Sequence, residues 1–185
     1  MHRQFILTQL TQYHTDDPQQ RVCRQQISDF IKNNNNCFER SNLAGHITAS
    51  AWLLHPSKNK VLLMLHRKLN LWCQPGGHAD GNGDIPSVAL KEAQEETGIE
   101  EIECIEEGIF DIDIHKISPF NDIPAHWHYD IRYLLRAKRA NFAKNEESLA
   151  LRWYDLADLL RSDTNFDESL VRMAKKTVNH LGTCT

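Results

Sequence analysis

The stretch Gln74-Pro75-Gly76-Gly77-His78, followed by a short loop of glycine, asparagine and aspartate and then by Lys91-Glu92-Ala93-Gln94-Glu95-Glu96-Thr97-Gly98-Ile99, constrains this chain more than any other. It reads as a strand end, a loop and a helix stopped by glycine. Glu92, Glu95 and Glu96 are spaced i, i+3, i+4, so a 3.6-residue period sets their carboxylates on one helical stripe. Like charges on that spacing repel one another, more strongly when partly enclosed. Lys91 can reach Glu95, but one lysine does not balance three carboxylates, so a further cation is expected. Hard oxygen ligands presented this way suit Mg²⁺ or Mn²⁺, which keep several waters and bind substrate phosphates at the same time. A solvated acidic face is the other meaning of such a stripe. The flanking residues favour the metal: Pro75-Gly76-Gly77 gives a backbone that turns sharply and approaches a ligand closely, as only glycine permits without steric cost.

Gly77 to Ile99 resembles the Nudix box, whose usual pattern is Gly-x5-Glu-x7-Arg-Glu-apolar-x-Glu-Glu-x-Gly-apolar. This chain has Gly77-x5-Gly83-x7-Lys91-Glu92-Ala93-Gln94-Glu95-Glu96-Thr97-Gly98-Ile99. Two positions depart from the pattern. Gly83 replaces the early glutamate, with Asp84 one place later as a shorter substitute, and Lys91 replaces the arginine without its planar bidentate fork. The resemblance implies an α/β fold, a Nudix-type α/β/α sandwich with a mixed sheet, plus N-terminal and C-terminal helical extensions. Expected boundaries are a helical extension over 1–40, the Nudix domain over 41–165, and a C-terminal helix over 166–185 packed on the domain.

By the same resemblance, the chain is expected to hydrolyse a nucleoside diphosphate linked to another group X, using divalent metal to neutralise the diphosphate and activate water. Glu92, Glu95 and Glu96 would hold the metal, with the Gly76 carbonyl available as well. A further carboxylate, acting as ligand or base, is placed at Glu147, with Glu146 as the competing choice; ordinary loop charge is the alternative for both. The departures at 83 and 91 keep open a Nudix-fold sensor that binds a nucleotide without turnover. An isomerase of the isopentenyl-diphosphate type shares the fold and would draw on Cys73, but the intact Glu-x-x-Glu-Glu run argues for hydrolysis.

Elsewhere the pattern supplies the framework. Residues 4–13 carry Phe5, Ile6, Leu7, Leu10 and Tyr13 at helical spacing, and a second helix opens at Asp17-Pro18, where aspartate caps and proline suits the first turn. The four asparagines 33–36 make a turn or short linker. From Gly45 the period becomes two, and the continuous run Val61 to Leu65 reads as a strand buried on both faces. Ile102 to His115 and Trp127 to Ala137 read as two strands joined through Ser118 to Pro124. Leu149 to Tyr154 adds a strand, Asp155 to Leu160 a short helix, and Asp167 to Leu181 a helix closed by Gly182.

A second constellation lies on the hairpin. His126, His128 and Asp130 alternate on one strand face, and Asp111, Asp113 and His115 do the same on its partner. Paired, they would form one His/Asp cluster able to hold substrate or supply a base; any solvated strand face shows the same alternation. Arg67, in the basic cluster His66-Arg67-Lys68 at a strand end, is a candidate phosphate ligand, and Gln74 and His78 are further candidates for substrate binding.

The formal charge of -4 over 185 residues, without any lysine- or arginine-rich run, gives no electrostatic footprint for a nucleic-acid polymer; a small charged metabolite fits better. Five cysteines without CxxC spacing suggest reduced thiols rather than a zinc site or a disulfide framework. No apolar run approaches a membrane span or a signal peptide, so a cytoplasmic location is expected, and amphipathic terminal helices are compatible with a homodimer.

Overall fold

The period-two run that begins at Gly45 forms strand β1 (Gly45–Leu54) in the computed structural model, which describes residues 2–68, 70–143, 146, 148–161 and 166–182. Every residue of β1 is buried. Its alternation is therefore not core against solvent; it sets Ile47 and Ala49 on one face and His46, Thr48 and Ser50 on the other. The apolar run that follows is β2 (Lys60–His66), antiparallel to β1, with β3 (Trp72–Cys73) beside it. Strand β4 (Gly76–His78) pairs with β1.

The reading of 102–115 as one strand is corrected. It is two strands, β5 (Ile102–Cys104) and β6 (Asp111–Ile117), both antiparallel to the long β7 (His126–Ala137). The chain breaks between them at Glu106-Glu107-Gly108, where Gly108 takes φ +98°, a conformation that side chains rarely adopt. Strand β8 (Ser148–Asp155) pairs along β2. The fold is α/β with a mixed sheet. The strand order is β3-β2-β1-β7-β5, with β4 also on β1, β6 also on β7 and β8 also on β2. The helices are α1 (His2–Gln12), α2 (Pro18–Asn33), α3 (Ile85–Thr97), α4 (Leu156–Leu159) and α5 (Glu168–Leu181).

The described residues group into two compact units. The first comprises those of Met1–Ser50 with Gly76–Ala89 and Glu106–Tyr133. Here the N-terminal helices are built into the core. Asp17 caps α2, accepting from the Gln19 N–H at 2.8 Å, and Pro18 fills the first helical position. Ile6, Leu10, Ile27 and Ile31 are fully or almost fully buried. Buried Gln20 accepts from the Tyr13 hydroxyl at 2.9 Å and donates to the Ile112 carbonyl of β6 at 3.1 Å. Tyr133 of β7 donates to Gln9 at 2.9 Å, and Phe30 stacks on Tyr129 with ring centres 4.0 Å apart.

The second unit comprises Ala51–Pro75, Leu90–Ile105 and the described residues of Leu134–Thr185. Its core joins Trp52, Leu53, Leu62 and Leu63 to Leu156, Leu159, Leu170 and Met173. Helix α5 begins at the Asp167 cap and ends at Gly182, φ +61°. Trp52 donates its indole N–H to Thr177 Oγ1 at 2.8 Å, which satisfies a donor at a site where both residues are buried. No helix among the described residues is long and apolar enough to cross a membrane.

Candidate active site

Helix α3 carries the acidic stripe. The loop before it is ordered by its own polar side chains: Asn82 accepts from the Asp84 N–H at 2.9 Å, and the Asp84 carboxylate accepts from the Ser87 N–H at 3.4 Å. Asp84 therefore faces the first turn of α3 as a cap, a different role from the stand-in for the box's early glutamate suggested by sequence. At the other end Gly98 takes φ +66°, and a Cβ there would meet Ala143 Cβ at 2.9 Å, so the helix stop depends on glycine. Along the stripe burial is graded: Glu95 is exposed and paired with Lys91 at 2.9 Å, Glu92 is half-buried, and Glu96 is 3 % exposed. The Lys91–Glu95 pair, open to solvent, contributes at most about 0.5 kcal/mol and is easily exchanged for another partner. These three carboxylates belong to the second unit.

So does Arg67, which is exposed just beyond β2 and donates from Nε to the Glu146 carbonyl at 2.8 Å. With His66, Lys68 and Glu146 it lines a small open cavity. Gln74 is half-buried between β3 and β4. Glu147 lies outside the described residues. Gly76 belongs to the first unit, opposite Ser50 in the β1–β4 ladder; a Cβ there would lie 2.7 Å from the Ala49 carbonyl oxygen, so the close strand approach admits only glycine.

The remaining candidates converge in the first unit. Register pairs His115 with His128, Asp113 with Asp130 and Asp111 with Arg132 across β6 and β7. His78 of β4 sits opposite Thr48 of β1. The result is one polar face rather than a solvated one. Asp130, 2 % exposed, accepts from Thr48 Oγ1 at 2.9 Å and Ser50 Oγ at 2.8 Å. Arg132, 3 % exposed, reaches Asp130 at 2.7 Å, Asp113 at 3.0 Å and Asp111 at 3.4 Å. Burial alone would pull its pKa down, but the three aspartates outweigh that and hold the guanidinium charged.

Beyond these carboxylates the face becomes histidine. His46 lies with ring centre 4.9 Å from His78, 5.0 Å from His126 and 4.9 Å from His128, and His115 lies 5.4 Å from His128. Removal from water, with Arg40 and the neighbouring rings adding to it, pushes His78 down to about 4; burial and the surrounding histidines push His128 down to about 2. Both are neutral imidazoles near pH 7. Sequence reasoning placed His115, His126 and His128 here, gave His78 as a substrate-binding candidate without assigning it to this face, and missed His46, Thr48, Ser50 and Arg132. The signal for the first three was present: they share one parity on β1. Arg132 continues the parity of His126, His128 and Asp130.

A family model described as NUDIX domain matches residues 45–174. Among solved structures, a NUDIX-family hydrolase of Clostridium perfringens is similar with a TM-score of 0.56 at 28% identity, covering 74% of this chain and 97% of its own. A MutT NUDIX hydrolase of Burkholderia pseudomallei gives a TM-score of 0.53 at 18% identity, over 71% of this chain and 97% of its own. The NUDIX domain of Shewanella oneidensis NrtR, complexed with ADP ribose, gives 0.53 at 18% identity, over 83% and 97%. The last two likenesses concern the fold. No curated protein matches the chain.

Proposed function

The chain belongs to the Nudix family and is by class a Nudix pyrophosphohydrolase; from that premise we propose that it cleaves the diphosphate linkage of a nucleoside diphosphate joined to another group X, by attack of water on phosphorus, with Mg²⁺ or Mn²⁺ as the metal. The observation that carries this reading is the burial of Glu96 on the same stripe as Glu92 and Glu95. An oxygen donor set of this kind, graded from exposed to buried along one helical stripe, fits a hard dication.

Glu92 and Glu96 would be the principal ligands and Glu95 a third, leaving Lys91 when the ion enters. When bound, the metal supplies charge neutralisation at the diphosphate and lowers the pKa of the attacking water. The protein's part is positioning: the Asp84 cap and the Gly98 stop fix the ends of α3, and with them the direction of the stripe. Glu147, with Glu146 as alternative, is the proposed base, and Arg67 and Gln74 are proposed to bind the substrate.

The test is hydrolysis of a panel of nucleotide-linked diphosphates, ADP-ribose and a dinucleoside polyphosphate among them, with Mg²⁺ and with Mn²⁺. Glu96→Gln is expected to lose activity by about 100-fold or more, as when one preorganised charge-stabilising group is removed. Equal rates for the two proteins would refute the assignment. A second reading, a Nudix-fold sensor, is favoured by one observation: Lys91 is engaged with Glu95 at 2.9 Å, and Gly83 offers no carboxylate. Binding of a panel member without product over hours would select it.

A further inference from the structure

We propose that His46, His78 and His128 form a binding site for a divalent transition-metal ion of the zinc class, built from β1, β4 and β7 and separate in its ligands from the glutamates of α3. One ligand nitrogen from each of the three histidines lies within 4.8 Å of the others. They come from three strands whose register fixes them, not from a mobile loop.

The tautomers are set for this. His46 Nδ1 faces the Asn42 carbonyl at 3.4 Å, so it carries the proton and leaves Nε2 as a lone pair. That Nε2 is buried and has no hydrogen-bond partner. An acceptor orphaned at this depth is unfavourable, and a cation would relieve it. His126 Nδ1 lies 2.9 Å from the Pro124 carbonyl and donates to it, so His126 Nε2 is an acceptor. His128 Nε2 sits 3.3 Å from that nitrogen and can donate to it, which leaves His128 Nδ1 with a lone pair. A metal-binding imidazole whose other nitrogen donates to an orienting group is the usual second layer of such sites.

The donor set decides the ion. Neutral imidazole nitrogens suit zinc, cobalt, nickel or copper, whereas Mg²⁺ is held by oxygen. Three histidines leave one coordination position open for water or a ligand oxygen. Closure to metal–nitrogen bonds of about 2.0–2.1 Å requires the rings to draw together from their present spacing. The competing occupant of the His46 Nε2 position is a water molecule donating a hydrogen bond.

The test uses the full chain after chelator treatment, titrated with Co²⁺ alone and followed by visible absorption, then with Zn²⁺ by calorimetry. The expected result is one equivalent of Co²⁺ giving the intense bands of a tetrahedral nitrogen-ligated ion, displaced by Zn²⁺ and not by millimolar Mg²⁺. His128→Gln and His78→Gln are expected to weaken Zn²⁺ binding by about 100-fold or more. Thermal melts establish that each variant is folded, and neither His78 nor His128 is fully buried. The double variant Glu92→Gln, Glu96→Gln should keep the Co²⁺ spectrum while losing Mg²⁺-dependent hydrolysis, which separates this site from the one proposed on α3. Absence of the tetrahedral bands, displacement by Mg²⁺, or loss of the bands in the glutamate variant but not in the histidine variants would overturn the proposal.

Discussion

Gly83 stands where the Nudix pattern has glutamate, and its surroundings explain the exchange. A Cβ at this position would collide with His2 Cβ of α1 and lie 3.2 Å from the Phe38 ring. The N-terminal helix occupies the space that the longer side chain would need. Restoring the pattern with Gly83→Glu is therefore expected to destabilise the protein by about 1–3 kcal/mol, the range for overpacking, without raising the hydrolysis rate; a melt beside an assay checks both. Cys37, fully buried, makes a second case. Burial pushes its thiol from 9.0 up to about 11. The unfolded chain ionises at the lower pH, so this contribution to stability is complete below pH 9 and falls as pH rises towards 11, by up to about 1.4 kcal/mol per pH unit. Cys37→Ala is expected to show a shallower alkaline loss of stability than the parent in denaturant titrations at pH 8, 9 and 10. An identical slope would contradict the assignment.

At the scale of elements, much was legible because local chemistry and tertiary packing agree. The Asp17-Pro18 start of α2, the Gly182 end of α5 and the buried run of β2 all appear where residue pattern sets them. The split between β5 and β6 was not legible, since Ile102, Ile105, Ile109 and Ile112 carry apolar character across the break, and the decision lies in how each segment pairs with β7. The polar face was half legible for a related reason. Parity along one strand is visible in sequence, but that β1 faces β4 and β7 is a property of the sheet. The Trp52–Thr177 bond between β1 and α5 was likewise invisible, linking residues 125 positions apart. Thr177→Val keeps the volume and removes the acceptor, leaving the indole N–H unsatisfied. A loss of about 1–3 kcal/mol is expected, measured by urea unfolding. Trp52→Phe made in the Thr177→Val background should then cost less than in the parent, because it removes a donor whose acceptor is already gone.

At the scale of the whole chain, the sequence reading treated residues 1–40 as an extension added to a domain. In the first unit, however, α1 and α2 supply core residues Ile6, Leu10, Ile27 and Ile31, and the Gln20 amide is the hydrogen-bond donor to the Ile112 carbonyl. Their removal would uncover apolar side chains on β6 and β7 and take from Tyr133 its partner Gln9. Fully burying side chains of this size is worth about 1.5–3 kcal/mol each, so four such residues exceed a large share of the 5–15 kcal/mol that holds a typical domain together. A chain beginning at Ser41 is therefore expected to be insoluble, or to melt far below the parent, even though it retains every residue that the family model matches. The discriminating measurement is a melting curve of the truncated chain beside the point variant Gln20→Ala. A shortened protein with the parent's melting temperature would show that the helices are dispensable cover. A large fall on truncation with a modest one for Gln20→Ala would place the stabilisation in the apolar contacts of the helices, with the hydrogen bond to β6 as a smaller part.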